Sequence, residues 1–136
     1  MRVTVIDGQG GRLGRQLVEA ILARYSDCEV TAVGTNTIAT AAMIRGGAHH
    51  AATGENAVVV ACRTADAIVG PIGIVIADAL YGEITPSMAV AVGQSRATRV
   101  LIPMMKCDNI VAGVSEMSIQ ALVDDAVDKL AAACKG

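Results

Sequence analysis

The chain has 136 residues, a formal net charge of −2, 18% charged residues and 1% aromatics, with Tyr25 and Tyr81 as the whole aromatic inventory. The length fits one domain, read here as residues 1–136, with little room for a separate substrate domain. A mean hydropathy of +0.51 excludes intrinsic disorder, and near-neutral charge without aromatic platforms argues against nucleic acid.

The longest uncharged runs, residues 67–77 and 84–95, both contain Pro and Gly. As a helix the first would reach roughly 17 Å, short of the ~30 Å hydrocarbon layer, so no membrane span is expected. Asp7 and a glycine cluster interrupt the N-terminus at once, which does not read as a signal peptide, and a cytoplasmic location is expected. Cys28, Cys62, Cys107 and Cys134 form no C-x-x-C pair and read as reduced, mostly buried thiols.

In chain order, residues 1–6 read as a short β-branched strand ended by Asp7-Gly8. Leu13, Leu17, Ala20 and Ile21 then recur at helical spacing up to Arg24. Residues 28–33 form a second strand, and residues 34–37 supply turn and N-cap chemistry for a helix over 38–45, closed by Gly46-Gly47. Residues 49–52 are a very short third strand. Residues 53–56 start a helix to about Thr64, although Val58-Val59-Val60 would equally suit a strand. Residues 67–69 are a fourth strand, and 74–80 are predicted helical with Tyr81-Gly82 as the stop. Thr85 as N-cap and Pro86 at the first position open a helix to about Ser95. Residues 99–102 make a fifth strand, 110–114 a possible sixth, and 118–134 an amphipathic helix. Apolar strands alternating with helices define an α/β protein: a three-layer, doubly wound parallel sheet of five to six strands.

The sharpest motif joins the first strand to the first helix. Gly8, Gly10 and Gly14 give G-x-G-x-x-x-G, a variant of the dinucleotide fingerprint. Gly8 permits a tight turn, Gly10 lets a phosphate approach the backbone, and Gly14 lets helix and strand pack closely. Gln9, Gly11, Arg12 and Leu13 complete a cradle of backbone N–H groups at a helix N-terminus, with Arg12 and Arg15 adding charge. No carboxylate stands in residues 34–37, where a ribose ligand is expected, so NADP is favoured over NAD. Asp7 either faces the ligand or ties down its own glycine turn.

Ligands of such sheets bind at the carboxyl ends of the strands, which here carry residues 7–14, 34–37, 53–56, 70–73 and 103–109. Thr35 and Asn36 are expected on the ribose side, and Gly70 and Pro71 at the far half of the ligand. Asp7, Glu55 and Cys107 are the catalytic candidates, with Glu83 a further plausible actor and Lys106 beside the Cys107 thiol. Glu55 is equally read as stabilising its own helix N-terminus. His49 and His50 are read as structural or interfacial, and no metal site is expected.

The segments 5–11, 34–36, 52–56, 69–73, 82–86 and 101–103 together resemble the bacterial family numbered domain of unknown function 3842, found mainly in anaerobic Firmicutes. The resemblance spans nearly the whole chain in order. It implies a Rossmann-like fold and brings no substrate, reaction or catalytic residue.

The function expected is binding of a phosphorylated nucleotide, NADP ahead of NAD, at the glycine loop. The alternatives are a non-catalytic oligomeric interaction or regulatory protein, and a small reductase completed by a second subunit; whether the chain is an enzyme is open. The helix around residues 86–93 is apolar on all sides, which predicts a homodimer or higher assembly through it.

Overall fold

β1 (Arg2–Asp7) sends Val3 and Val5 to one side and Ile6 to the other, and all three are buried. A strand apolar on both faces belongs inside a covered sheet. The computed structural model describes residues 1–104 and 109–134 and places β1 at the centre of five parallel strands. The others are β2 (Glu29–Gly34), β3 (His50–Thr53), β4 (Ala67–Pro71) and β5 (Thr98–Ile102), in the order β3-β2-β1-β4-β5. Between them run α1 (Arg12–Arg24), α2 (Thr37–Arg45), α3 (Glu55–Thr64), a 3-10 turn (Ile72–Val75) and α4 (Pro86–Gln94), with α5 (Ile119–Lys129) and α6 (Ala131–Cys134) last.

One face of the sheet is covered by Leu17 and Ile21 of α1, Met43 of α2, and Val123 and Val127 of α5, packed on Val3, Val5, Val30 and Val69. The opposite face carries Val58 of α3, Met88 and Val92 of α4, and Ile74, packed on Ile6, Val33 and Ile68. Asn36, Thr85 and Ser118 cap α2, α4 and α5, each side chain accepting a backbone N–H of the first turn. The chain reverses strand order between β1 and β4, because α1 leaves on one face while the 3-10 turn and α4 leave on the other. A cleft opens at such a point.

Three sequence expectations are corrected. Residues 110–114 form no strand: they carry a turn at Gly113 (φ 81°), and Ile110 is 95% exposed. The segment is apolar enough for a strand but stays unpaired. Residues 74–80 are not a helix. Ile74 and Ile84 are both fully buried, and the backbone reverses between them through Asp78, Leu80, Tyr81 and Gly82 at φ 68°, 56°, 56° and 87°. Consecutive β-branched Ile74, Val75 and Ile76 oppose helix propagation there. The last helix breaks at Leu130, whose N–H is shared between the Ala126 and Val127 carbonyls at 3.1 and 3.2 Å.

The helix expected to join subunits uses Met88, Ala89 and Val92 within this chain's own core, leaving Val90 as its exposed large apolar side chain. Cys28 and Cys62 are buried. No described helix is long and apolar enough to cross a membrane.

Tyr81 is 97% exposed yet holds a left-handed backbone that costs an L residue roughly 1–2 kcal/mol. Tyr81→Asn, which tolerates that conformation, is expected to raise the unfolding free energy by roughly 0.5–1 kcal/mol. Urea titration checks this, and an unchanged or lower value would show that the turn is not strained.

Candidate functional site

The glycine loop is built around one buried carboxyl group. Asp7, 6% exposed at the end of β1, accepts the Gly8 N–H at Oδ1 (2.8 Å) and the Gly14 N–H at Oδ2 (2.7 Å). The Gly11 N–H closes the turn onto the Gly8 carbonyl at 3.0 Å, and Gly11 sits at φ 73° as the N-cap of α1. A side chain at Gly11 would meet the Ala39 backbone at 2.6 Å, and one at Gly14 would meet Met43 Sδ at 2.6 Å and Asp7 Cβ at 2.8 Å. The loop is therefore pressed against α2 and β1, and glycine is required for that contact.

Of the amides in this turn, those of Gly8, Gln9, Gly11 and Gly14 are taken by partners within the chain. Those of Gly10, Arg12 and Leu13 have none among the described residues. Nothing lies within 4 Å of where a Gly10 side chain would stand. Arg12 is exposed and makes no ion pair among the described residues, while Arg15 is bound to Glu19 at 2.7 Å.

The residues that carry these open groups line a cavity of about 280 Å³ at the β1/β4 switch point. Gly8, Gln9, Gly10, Gly11, Arg12 and Leu13 form one wall. Pro71, Ile72, Gly73, Ile76 and Leu80 form the facing wall, and Gln16, Met104, Asn109 and Ile119 complete the lining.

Glu83, reaching over from the turn before α4, fills the other side of the glycine loop. Its Oε1 accepts the Gln9 N–H (2.9 Å), Thr35 Oγ1 (2.6 Å) and Asn36 Nδ2 (2.8 Å). A side chain at Gly8 would meet Thr35 Oγ1, Leu80 Cδ1 and Glu83 Oε1 at 2.7, 2.9 and 3.0 Å.

Of the residues singled out as binding candidates, Gly8 to Leu13 and Pro71 line the cavity. Gly14, Thr35, Asn36 and Gly70 are not part of its lining. Gly70 is a close-packed strand position, where a side chain would meet the Ile6 carbonyl oxygen at 2.3 Å. Glu55 lies outside the cavity, in the first turn of α3, and accepts from Thr85 Oγ1 at 2.5 Å. Cys107 and Lys106 lie outside the described residues.

His49 Nδ1 accepts the Val30 N–H at 3.0 Å, and His50 Nε2 meets Glu29 at 3.0 Å, so both stand beside β2 at the sheet edge. Among the described residues no group of three His, Cys, Asp or Glu side chains is placed to hold a metal ion. The apolar wall residues Ile76, Leu80 and Ile119 escaped the sequence reading, while Met104 falls in the 103–109 loop expected at this edge. Apolar character alone does not distinguish a cavity wall from core.

An all-parallel sheet in this order, with a glycine turn from β1 into α1 and a cleft at the switch point, defines a Rossmann-like α/β protein. The sequence matches the family described as "Domain of unknown function (DUF3842)" over residues 2–135, and the chain belongs to that family. No curated protein matches it. Among solved structures, a dodecameric FMN-dependent UbiX-like decarboxylase from Escherichia coli O157:H7 is similar at a TM-score of 0.46 and 20% identity, over 96% of this chain and 76% of that one.

The two carboxyl groups respond to pH in opposite directions. Burial pushes the Asp7 pKa above 3.8, against the pull of the Gly14 and Gly8 amides and with a further push from the charge of Glu83. Burial also acts to raise Glu83, but the donors of Thr35, Gln9 and Asn36 together hold it below 4.5. A raised folded pKa gives stability that is present below the unfolded value and lost as pH rises through the folded one; a lowered pKa does the reverse. The stability gap between wild type and Glu83→Gln is therefore expected to shrink as pH falls below 4.5, whereas the wild type is expected to gain on Asp7→Asn as pH falls from neutral toward 3.8, with the gain complete below that value. Denaturant titrations between pH 3 and 7 check both signs, and a gap independent of pH would contradict the assignment.

Proposed function

We propose that the protein binds a phosphorylated nucleotide-type ligand at the β1/β4 cleft. The phosphoryl group would rest on the N–H groups of Gly10, Arg12 and Leu13 and on the Arg12 guanidinium. The organic part would lie against Ile72, Ile76, Leu80, Met104 and Ile119, an aliphatic surface in a chain without Phe or Trp. One observation carries the reading: a cation and three amides, all without a partner among the described residues, and an apolar wall meet in one cavity at the switch point.

NADP and NAD belong to this class. Their ribose side would need Thr35 and Asn36, which here are bound to Glu83. The proposal stops at binding, since Asp7 is occupied by two loop amides and Glu55 stands away from the cavity. Ile38, Ile44, Val60, Val90 and Ile110 are exposed large apolar side chains, and they support a second reading in which the chain also self-associates.

Thermal shift with ATP, coenzyme A, flavin mononucleotide, NADP and NAD tests the ligand class. A true ligand at about 100 times its dissociation constant adds roughly 2.7 kcal/mol to stability. Arg12→Ala is expected to weaken that ligand by about tenfold, the order of one charge-assisted hydrogen bond. No shift with any member, or an Arg12→Ala protein that binds as well as wild type, would sink the reading. Native mass spectrometry of the purified protein reads out both a retained ligand and the subunit number; a monomeric mass would sink the self-association reading.

A further inference from the structure

The turn of residues 77–83 is held in place by its geometry and its contacts. Asp78, Leu80, Tyr81 and Gly82 all carry positive φ, and for Leu80 and Tyr81 that conformation is costly. Its ends are pinned by the Asp78 N–H on the Ile84 carbonyl (2.7 Å) and the Ile84 N–H on the Ala79 carbonyl (3.1 Å). The shape delivers two side chains to the glycine loop. Leu80 stands over Gly8 and forms part of the cavity wall, and Glu83 bridges Gln9 in that loop to Thr35 and Asn36 at the end of β2.

In a Rossmann-type sheet the end of β2 is where an acidic side chain receives the ribose hydroxyls of a dinucleotide. Here the chain's own Glu83 carboxylate comes from the opposite side of the cleft and is already met by three donors. The glycine loop is thus crowded toward β2, at Gly8, and open at Gly10. The cavity of about 280 Å³ falls just below the roughly 300–1,000 Å³ usual for ligand pockets, and none of Thr35, Asn36 and Glu83 lines it.

We propose that the 77–83 turn, latched by Glu83 on Gln9, Thr35 and Asn36, restricts the cleft to mononucleotides and excludes the second half of a dinucleotide. The proposal rests on the nucleotide reading above and narrows it to ligands with one phosphorylated end and one compact organic body. Glu83 is then a specificity-determining residue that acts by occupying space and donors.

Matched pairs test this: adenosine monophosphate against NAD, and flavin mononucleotide against flavin adenine dinucleotide, each titrated by calorimetry, with inorganic phosphate as the minimal probe. Wild type is expected to bind at least one mononucleotide about tenfold or more tighter than its dinucleotide partner. Glu83→Ala is expected to bring the two within about threefold. Glu83→Gln keeps an acceptor oxygen and is expected to retain most of the discrimination, which separates the latch from a general loss of fold. Equal or tighter binding of the dinucleotide by wild type would overturn the latch and leave the nucleotide reading standing. Discrimination unchanged in Glu83→Ala would also overturn it. If neither pair nor inorganic phosphate binds, the nucleotide reading falls and the latch falls with it.

Discussion

Asp7 is a carboxyl group withdrawn from water at the end of a central parallel strand, and the amides of Gly8 and Gly14 are what compensate it. An isolated carboxylate in that position would be prohibitively costly. The chain therefore has to return to it seven residues later, and that return is the glycine loop. It sets where α1 begins, forces the Gly14 backbone against Met43, and leaves no room for a side chain at either Gly11 or Gly14. It also uses the Gly14 N–H, in the first turn of α1, for an internal anion. Among the described residues, what α1 has left to offer an external one is the pair of N–H groups on Arg12 and Leu13, with Gly10 beside them.

A second carboxyl group divides the cleft. Asp7 works from beneath the loop, while Glu83 works from above it and toward β2. The two fill opposite requirements. Asp7 gathers donors that belong to one local turn, and Glu83 gathers donors from two different strand ends. The consequence is an asymmetric loop, sealed on the β2 side by Thr35, Leu80 and Glu83 and open on the β4 side to an aliphatic cavity. Without Phe or Trp, any flat ring entering that cavity meets side chains such as Ile72, Ile76 and Met104.

Much of the fold was legible because its signals are local. Strands buried on both faces read as apolar runs, α1 shows a 3.6-residue period, and Thr85-Pro86 marks a helix start by side-chain chemistry alone. The glycine loop was legible for the same reason, while the bond from Asp7 to its own turn was one of two readings that the sequence left open. The latch was not. Glu83 is separated by 74, 48 and 47 residues from Gln9, Thr35 and Asn36, and no spacing rule connects them. The reversal at Leu80 and Tyr81 carries no turn signature before Gly82, so the segment looked helical. Residues 110–114 failed in the other direction: they are as apolar as a strand, but apolar character states a preference for burial and does not supply a partner.

The central claim is a division of labour among adjacent amides, with those of Gly8 and Gly14 committed to Asp7 and those of Gly10, Arg12 and Leu13 available to a phosphate. Titrating isotope-labelled protein with inorganic phosphate and following each backbone amide by nuclear magnetic resonance measures that division directly. The account expects saturable shifts largest at Gly10, Arg12 and Leu13, with Gly8 and Gly14 nearly still. Shifts centred on Gly8 and Gly14, or none in this loop at all, would contradict it.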